Sequence, residues 1–151
     1  MKATPSETVP SARILLVDDN KLGLVARKTV LEEQGYRVTT AQDGQEAFER
    51  LVRDRFDLVI TDYKMPKMNG LELITKIRGR QMEMPIILIS GYADALGMTE
   101  AGTGATVVIA KSAAEVPQLI RSVNRLLRRP AQKKPVGSQR SQIKIKRQGA
   151  S

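Results

Sequence analysis

With 151 residues and neither cysteine nor histidine, the chain can build one packed domain but has no means for disulfides, thiol chemistry, Cys/His zinc sites or histidine acid–base catalysis. Its net charge of +9 is unevenly placed, because residues 130–151 hold six of the 25 basic residues and none of the 16 acidic ones. Apolar runs such as Ile86-Ile87-Leu88-Ile89 are far shorter than the ~20 residues that cross a bilayer. Residues 1–12 lack a signal-peptide core, so a soluble, cytoplasmic protein with no membrane insertion is expected.

In chain order, residues 1–12 are a flexible start, and the first strand, 13–17, runs straight into Asp18 and Asp19. Two carboxylates ~4 Å apart repel by roughly 4 kcal/mol at an effective dielectric of about 20, so the pair calls for a positive partner. Asn20 can cap a helix over 21–33. A strand over 36–40 follows, and Asp43-Gly44 leads into a helix over 45–53. FDLVITD predicts a strand over 56–61 closed by Asp62, and Asn69-Gly70 opens a helix over 71–78. IILIS is a strand over 86–90 that ends on Ser90. The next stretch, ADALGMTEAGTGA, carries Gly97, Gly102 and Gly104, each costing up to ~1 kcal/mol of helix propensity relative to alanine. A strand over 106–110 is closed by Lys111. The last helix, 116–127, has an apolar stripe of Val116, Leu119, Ile120, Val123, Leu126 and Leu127, with Pro117 in its first turn. Residues 130–151 cannot bury enough apolar surface to offset their ordering entropy and are expected to be a disordered basic tail.

Five strands alternating with helices imply a doubly wound α/β fold, a five-stranded parallel sheet with helices on both faces and a site at the carboxyl ends of the strands. In the flavodoxin-like order 2-1-3-4-5, the first and third strands are neighbours. Asp18, Asp19 and Asp62 then converge beside Ser90 and Lys111. Taken singly, these are a helix cap, a turn acid, a strand-end hydroxyl and a surface lysine. Their coincidence at the strand ends argues for a site.

The acidic pair, the segment DYKMPKMNG around Asp62, Ser90 followed by Gly91, and Lys111 together resemble the receiver domain of two-component response regulators, over residues 13–129. The resemblance implies that Asp62 accepts a phosphoryl group from a histidine on a histidine kinase or histidine phosphotransfer protein. It implies a Mg²⁺ cofactor held by Asp19, Asp62 and the backbone carbonyl of Lys64, with Asp18 holding a metal-bound water; that ion would be the positive partner of the acidic pair. Lys111 would balance charge on the transferred group, and Ser90 would donate a hydrogen bond to one of its oxygens. Such a domain is a phosphoacceptor signalling module rather than an enzyme, and acts on a downstream protein through altered contacts.

Three positions depart from the family pattern. Val108 stands at the switch position where an aromatic side chain is usual, Ser112 stands where proline is usual, and the fourth-helix region is rich in glycine. Valine is short and stiff, so signalling is expected to run through the Ser90 loop and residues 93–104, with little change along the last helix. With no second domain expected after Arg129, the chain reads as a stand-alone receiver. The alternatives are a phosphate-independent pseudo-receiver or scaffold, and a phosphohydrolase of the haloacid dehalogenase type. The latter wants its nucleophile on the first strand with a second aspartate two residues on, whereas the present pair is adjacent. The tail could bind nucleic acid in a salt-dependent way, but a solvated, solubilising role is favoured, since it has no aromatic residue for base stacking.

Overall fold

The computed structural model of the chain describes residues 11–95 and 97–132; all but residues 11 and 12 of the expected flexible start at 1–12, and all but residues 130–132 of the expected basic tail at 130–151, lie outside the described residues. Five strands, β1 (Arg13–Val17), β2 (Arg37–Ala41), β3 (Leu58–Asp62), β4 (Ile86–Ser90) and β5 (Val107–Ala110), alternate with helices. These are α1 (Lys21–Glu33), α2 (Gly44–Arg53), α3 (Gly70–Gly79), the short α4 (Tyr92–Ala95) and α5 (Glu100–Thr103), and α6 (Glu115–Gln132). The strands pair in parallel in the order β2-β1-β3-β4-β5, the expected doubly wound, flavodoxin-like sheet. The chain divides into two units, Met1–Ile120 and Arg121–Ser151. The sheet and every candidate site residue belong to the first, and the second holds the C-terminal turns of α6. Among the described residues no helix is long and apolar enough to cross a membrane.

Strands in the middle of a parallel sheet are covered on both faces and therefore read as unbroken apolar runs. Ile14 to Val17, Leu58 to Ile60 and Ile86 to Ile89 are accordingly all fully buried, while the edge strands β2 and β5 are only partly so. Alternation sends Leu15, Val17, Val59 and Leu88 into one cluster with Ala47 and Leu51 of α2 and Leu73, Ile74 and Ile77 of α3. It turns Ile14, Leu16, Leu58 and Ile60 to the opposite face.

Several boundaries differ from expectation. Tyr36 lies outside β2 because its N–H closes the end of α1 on the Leu31 carbonyl at 3.3 Å, after Gly35 has taken a φ of 99°. Phe56 and Asp57 precede β3 instead of opening it. The Arg13 guanidinium lies 4.9 Å from the centre of the Phe56 ring, and the Arg13 N–H donates to the Asp57 carboxylate at 2.8 Å. Asp62 is the last residue of β3 itself, paired opposite Ile89. The last helix runs from Glu115 to Gln132, five residues past its expected end at 127. The glycine-bearing region forms two four-residue helices in place of one longer one. Gly104 ends the second with φ of 83°, and Arg78 ties down the turn by donating to the carbonyl oxygen of Gly104 at 3.1 Å.

Caps fix where the helices begin. Asn20 accepts from the Gly23 N–H at 3.1 Å, and Asp43 from the Glu46 N–H at 2.7 Å. Asn69 and Glu72 form a reciprocal capping box with both bonds at 2.9 Å. Losing such a cap costs about 1 kcal/mol. Asn69→Ala should therefore lower the midpoint of urea unfolding by that amount of stability with an unchanged denaturant slope; no loss would mean that solvent replaces the box at no cost.

Candidate functional site

Register does the assembling. Val17 pairs opposite Thr61, Asp62 opposite Ile89, and Ser90 opposite Ala110, so the ends of four neighbouring strands are level. Asp18 and Asp19 follow β1, Asp62 and Ser90 end β3 and β4, and Lys111 follows β5. The Lys111 N–H donates to the Ser90 carbonyl at 2.8 Å, continuing the pairing one residue past the strand.

Asp18, Asp19 and Asp62 each offer a carboxylate oxygen, all within 4.8 Å of one another. Asp18 and Asp62 are buried and Asp19 is exposed. Three hard oxygen donors on one open edge suit a hard divalent cation such as Mg²⁺, which takes few protein ligands and keeps several waters. Lys64 lies in the loop after β3 and lines the same shallow hollow as Asp19 and Asn69. That loop is held against the sheet by the Tyr63 N–H on Ile89 O at 2.8 Å and by the Gly70 N–H on Tyr63 O at 2.7 Å.

The Lys111 ammonium sits 2.8 Å from Asp62 Oδ1, with the lysine half-exposed and the aspartate buried. Burial is the largest influence on Asp62 and raises its pKa. Lys111 pulls the other way, Asp18 adds to the rise, and the balance lies above the ordinary carboxylate value. Ser90 Oγ is buried and has no hydrogen-bond partner. An unmet hydroxyl at the same edge is a donor waiting for an acceptor. Val108, opposite Leu88 on β5, is partly buried and packs against the core cluster.

Two residues that the sequence reading did not select belong to this site. Arg27 of α1 is buried, its Nη1 donates to Asp18 Oδ2 at 2.6 Å, and its Nε donates to Glu115 Oε2 at 2.8 Å. Burial alone would lower the Arg27 pKa, but the bonds and charges of Glu115 and Asp18 more than offset it and hold it above its usual value. The signal was present in the helix period. Arg27 lies three residues after Leu24 and four before Leu31, the two buried leucines of α1. A charge on the core stripe of a helix requires a partner.

Comparison with known proteins agrees with the fold. The family described as "Response regulator receiver domain" matches residues 14–124. The chain is 31% identical over 132 residues to the gliding motility regulatory protein of Myxococcus xanthus, covering 82% of this chain and 17% of that protein. It is 34% identical over 121 residues to the response regulator MprA of Mycobacterium tuberculosis, covering 79% of this chain and 52% of that protein. The chain thus spans from 17% to 52% of the length of these two curated relatives. Among solved structures, it matches the response regulator TrrA of Thermotoga maritima in complex with Mg²⁺ and BeF, at 34% identity and a TM-score of 0.70, covering 77% of this chain and 99% of that one.

Proposed function

Because this chain belongs to the response regulator receiver domain family of two-component signal transduction, we propose that it accepts a phosphoryl group on Asp62 from a histidine of a partner kinase or phosphotransfer protein, with Mg²⁺ as cofactor. The observation that carries this reading is the buried Asp62 carboxylate, flanked by the Lys111 ammonium at 2.8 Å, on an edge that also holds two further carboxylates and the unpartnered Ser90 hydroxyl.

An Asp62 oxygen forms the new O–P bond in line as the P–N bond to the donor histidine breaks, with the electron pair leaving on the imidazole nitrogen. Burial strips water from the Asp62 carboxylate and raises its pKa, while Lys111 favours the ionised form and holds it in place. As charge builds on the transferred oxygens, Lys111 is placed to balance it and the Ser90 hydroxyl to donate to one of them. Asp19, Asp62 and the Lys64 carbonyl would hold Mg²⁺, with Asp18 on a metal-bound water, and the ion would supply the charge that lets a phosphoryl group approach three carboxylates. The product is a phosphoprotein, and its message is a change of shape. Ser90 leads directly into the segment from Gly91 to Gly104, two four-residue helices with few residues to stabilise either one. Drawing the Ser90 hydroxyl toward the acyl phosphate shifts that segment and alters the surface offered to a downstream protein.

Incubation of the full chain with phosphoramidate and Mg²⁺, read by intact-protein mass spectrometry, should give a single phosphoryl adduct that chelation with EDTA abolishes. An unmodified chain under conditions that label another receiver would favour a phosphate-independent scaffold.

A further inference from the structure

Arg27 occupies a place where α1 calls for an apolar side chain, between Leu24 and Leu31 on the buried face. Burying a guanidinium is unfavourable unless its donors are met by acceptors of opposite charge. Here they are met by two carboxylates from opposite ends of the domain. Nη1 bonds Asp18 Oδ2 at 2.6 Å and Nε bonds Glu115 Oε2 at 2.8 Å, with the side chains only 10%, 3% and 14% exposed for Arg27, Asp18 and Glu115. Ser112, in the place usually held by proline, turns the chain so that Glu115 arrives there. Its Oγ accepts from the Ala114 N–H and its carbonyl from the Glu115 N–H, both at 3.1 Å. The guanidinium is planar with its donors in a fixed fork, so Asp18 and the first turn of α6 are joined through one rigid group.

We propose that Arg27 is a positioning residue that sets the divalent-cation affinity of the Asp18–Asp19–Asp62 cluster and ties cluster occupancy to the first turn of α6 through Glu115. The inference rests on the reading that this cluster holds Mg²⁺. The charge on Arg27 is fixed, and it sits on the same carboxylate that a cation in the cluster would draw on. It therefore opposes cation binding through repulsion and by competing for Asp18. Glu115 takes part of the guanidinium's charge and so moderates the competition. When a cation claims Asp18, the balance of the bridge moves toward Glu115, and the backbone at the start of α6 feels the change. Val108 is short and stiff and offers little to swing between two sites; the Arg27 bridge provides a route to the last helix that does not use it.

The two ends of the bridge should act in opposite directions. In calorimetric Mg²⁺ titrations of the full chain, Arg27→Leu is expected to tighten binding by about fivefold and Glu115→Gln to weaken it by about as much, the lower end of ordinary coupling between sites. In amide NMR titrations of wild type, Glu115 to Gln118 should shift with the same apparent Kd as Asp19, and Arg27→Leu should lose the α6 shifts while keeping those at Asp19. A merely structural bridge would lower thermal stability in both variants and leave affinity unchanged, or change it in the same direction, and either result overturns the inference. If Arg27→Leu fails to fold, Glu115→Gln decides alone: weaker binding supports the inference, and unchanged or tighter binding overturns it. A wild-type chain that binds Mg²⁺ and loses it in Asp19→Asn establishes the cluster whatever the bridge variants do, whereas a wild type that binds none overturns the function reading and the inference together.

Discussion

Asp62→Asn is expected to abolish phosphoryl labelling and at the same time to raise the melting temperature of the cation-free protein. The first effect follows from chemistry, because an amide oxygen has neither the charge nor the nucleophilicity to take a phosphoryl group. The second follows from electrostatics. Asp62 is buried beside Asp18, and burial is the largest influence raising its pKa. A carboxyl whose folded pKa lies above its unfolded value makes the folded state less stable once it is ionised. Asparagine keeps the shape and an acceptor for Lys111 while removing that charge, so a rise of at least about 2 °C is expected. The sign has a further consequence. As pH falls through the raised pKa, the wild-type carboxyl takes up its proton in the folded state first and regains stability. The advantage of Asp62→Asn should therefore shrink as pH is lowered toward 4, the ordinary carboxylate range near about 3.9. A variant that labels as well as wild type would place the acceptor elsewhere. A variant that melts lower at neutral pH would show that the Lys111 pair outweighs the cost of burying the charge.

Much of this site was legible because central parallel strands announce themselves. Ile14 to Val17, Leu58 to Ile60 and Ile86 to Ile89 are covered on both faces, so their apolar runs were unbroken and the polar residue ending each run stood out. Once the strand order was inferred, Asp18, Asp62, Ser90 and Lys111 had to share an edge, and the parallel register does bring those strand ends level. Helix starts were legible through Asn20, Asp43 and Asn69, whose side chains each accept a backbone N–H of the first turn.

Pairings between distant segments were not legible. The helix period sets Arg27 on the buried stripe of α1, but its partner Glu115 is separated from it by four strands. Only the fold shows that the two meet. The expectation that the acidic pair needs a positive charge beside it named a metal ion and set Lys111 at the same edge; Lys111 does pair with Asp62, and the cation it did not foresee is Arg27, on Asp18. The boundary errors have a related cause. Phe56 and Tyr36 have the apolar, aromatic character of strand residues, and local pattern could not show that the one sits beneath Arg13 and the other closes a helix.

Gly70→Ala should be the most damaging single-methyl change near the site, because it separates the element that carries Asp62 from the helix packed behind it. A Cβ at Gly70 would overlap the Asp62 carbonyl oxygen, and would also stand 3.0 Å from Leu88 Cδ1 and 3.1 Å from Tyr63 Cα. Two of these three neighbours are backbone and cannot rotate away. Either α3 retreats, breaking the 2.7 Å bond from the Gly70 N–H to the Tyr63 carbonyl, or the end of β3 moves and takes Asp62 with it. Overpacking of this kind costs about 3 kcal/mol, equivalent to a fall of roughly 10 °C in melting temperature for a domain of this size. Displacement of the nucleophile by about 1 Å can lower the phosphorylation rate by about 100-fold. Gly79→Ala is the matched control: it lies in the same helix, its Cβ would meet nothing within 4 Å, and helix propensity favours alanine by up to about 1 kcal/mol. Gly79→Ala should therefore label like wild type and melt at or slightly above its temperature. If Gly70→Ala did the same, the close approach of α3 to β3 would have no part in holding Asp62 where it can react.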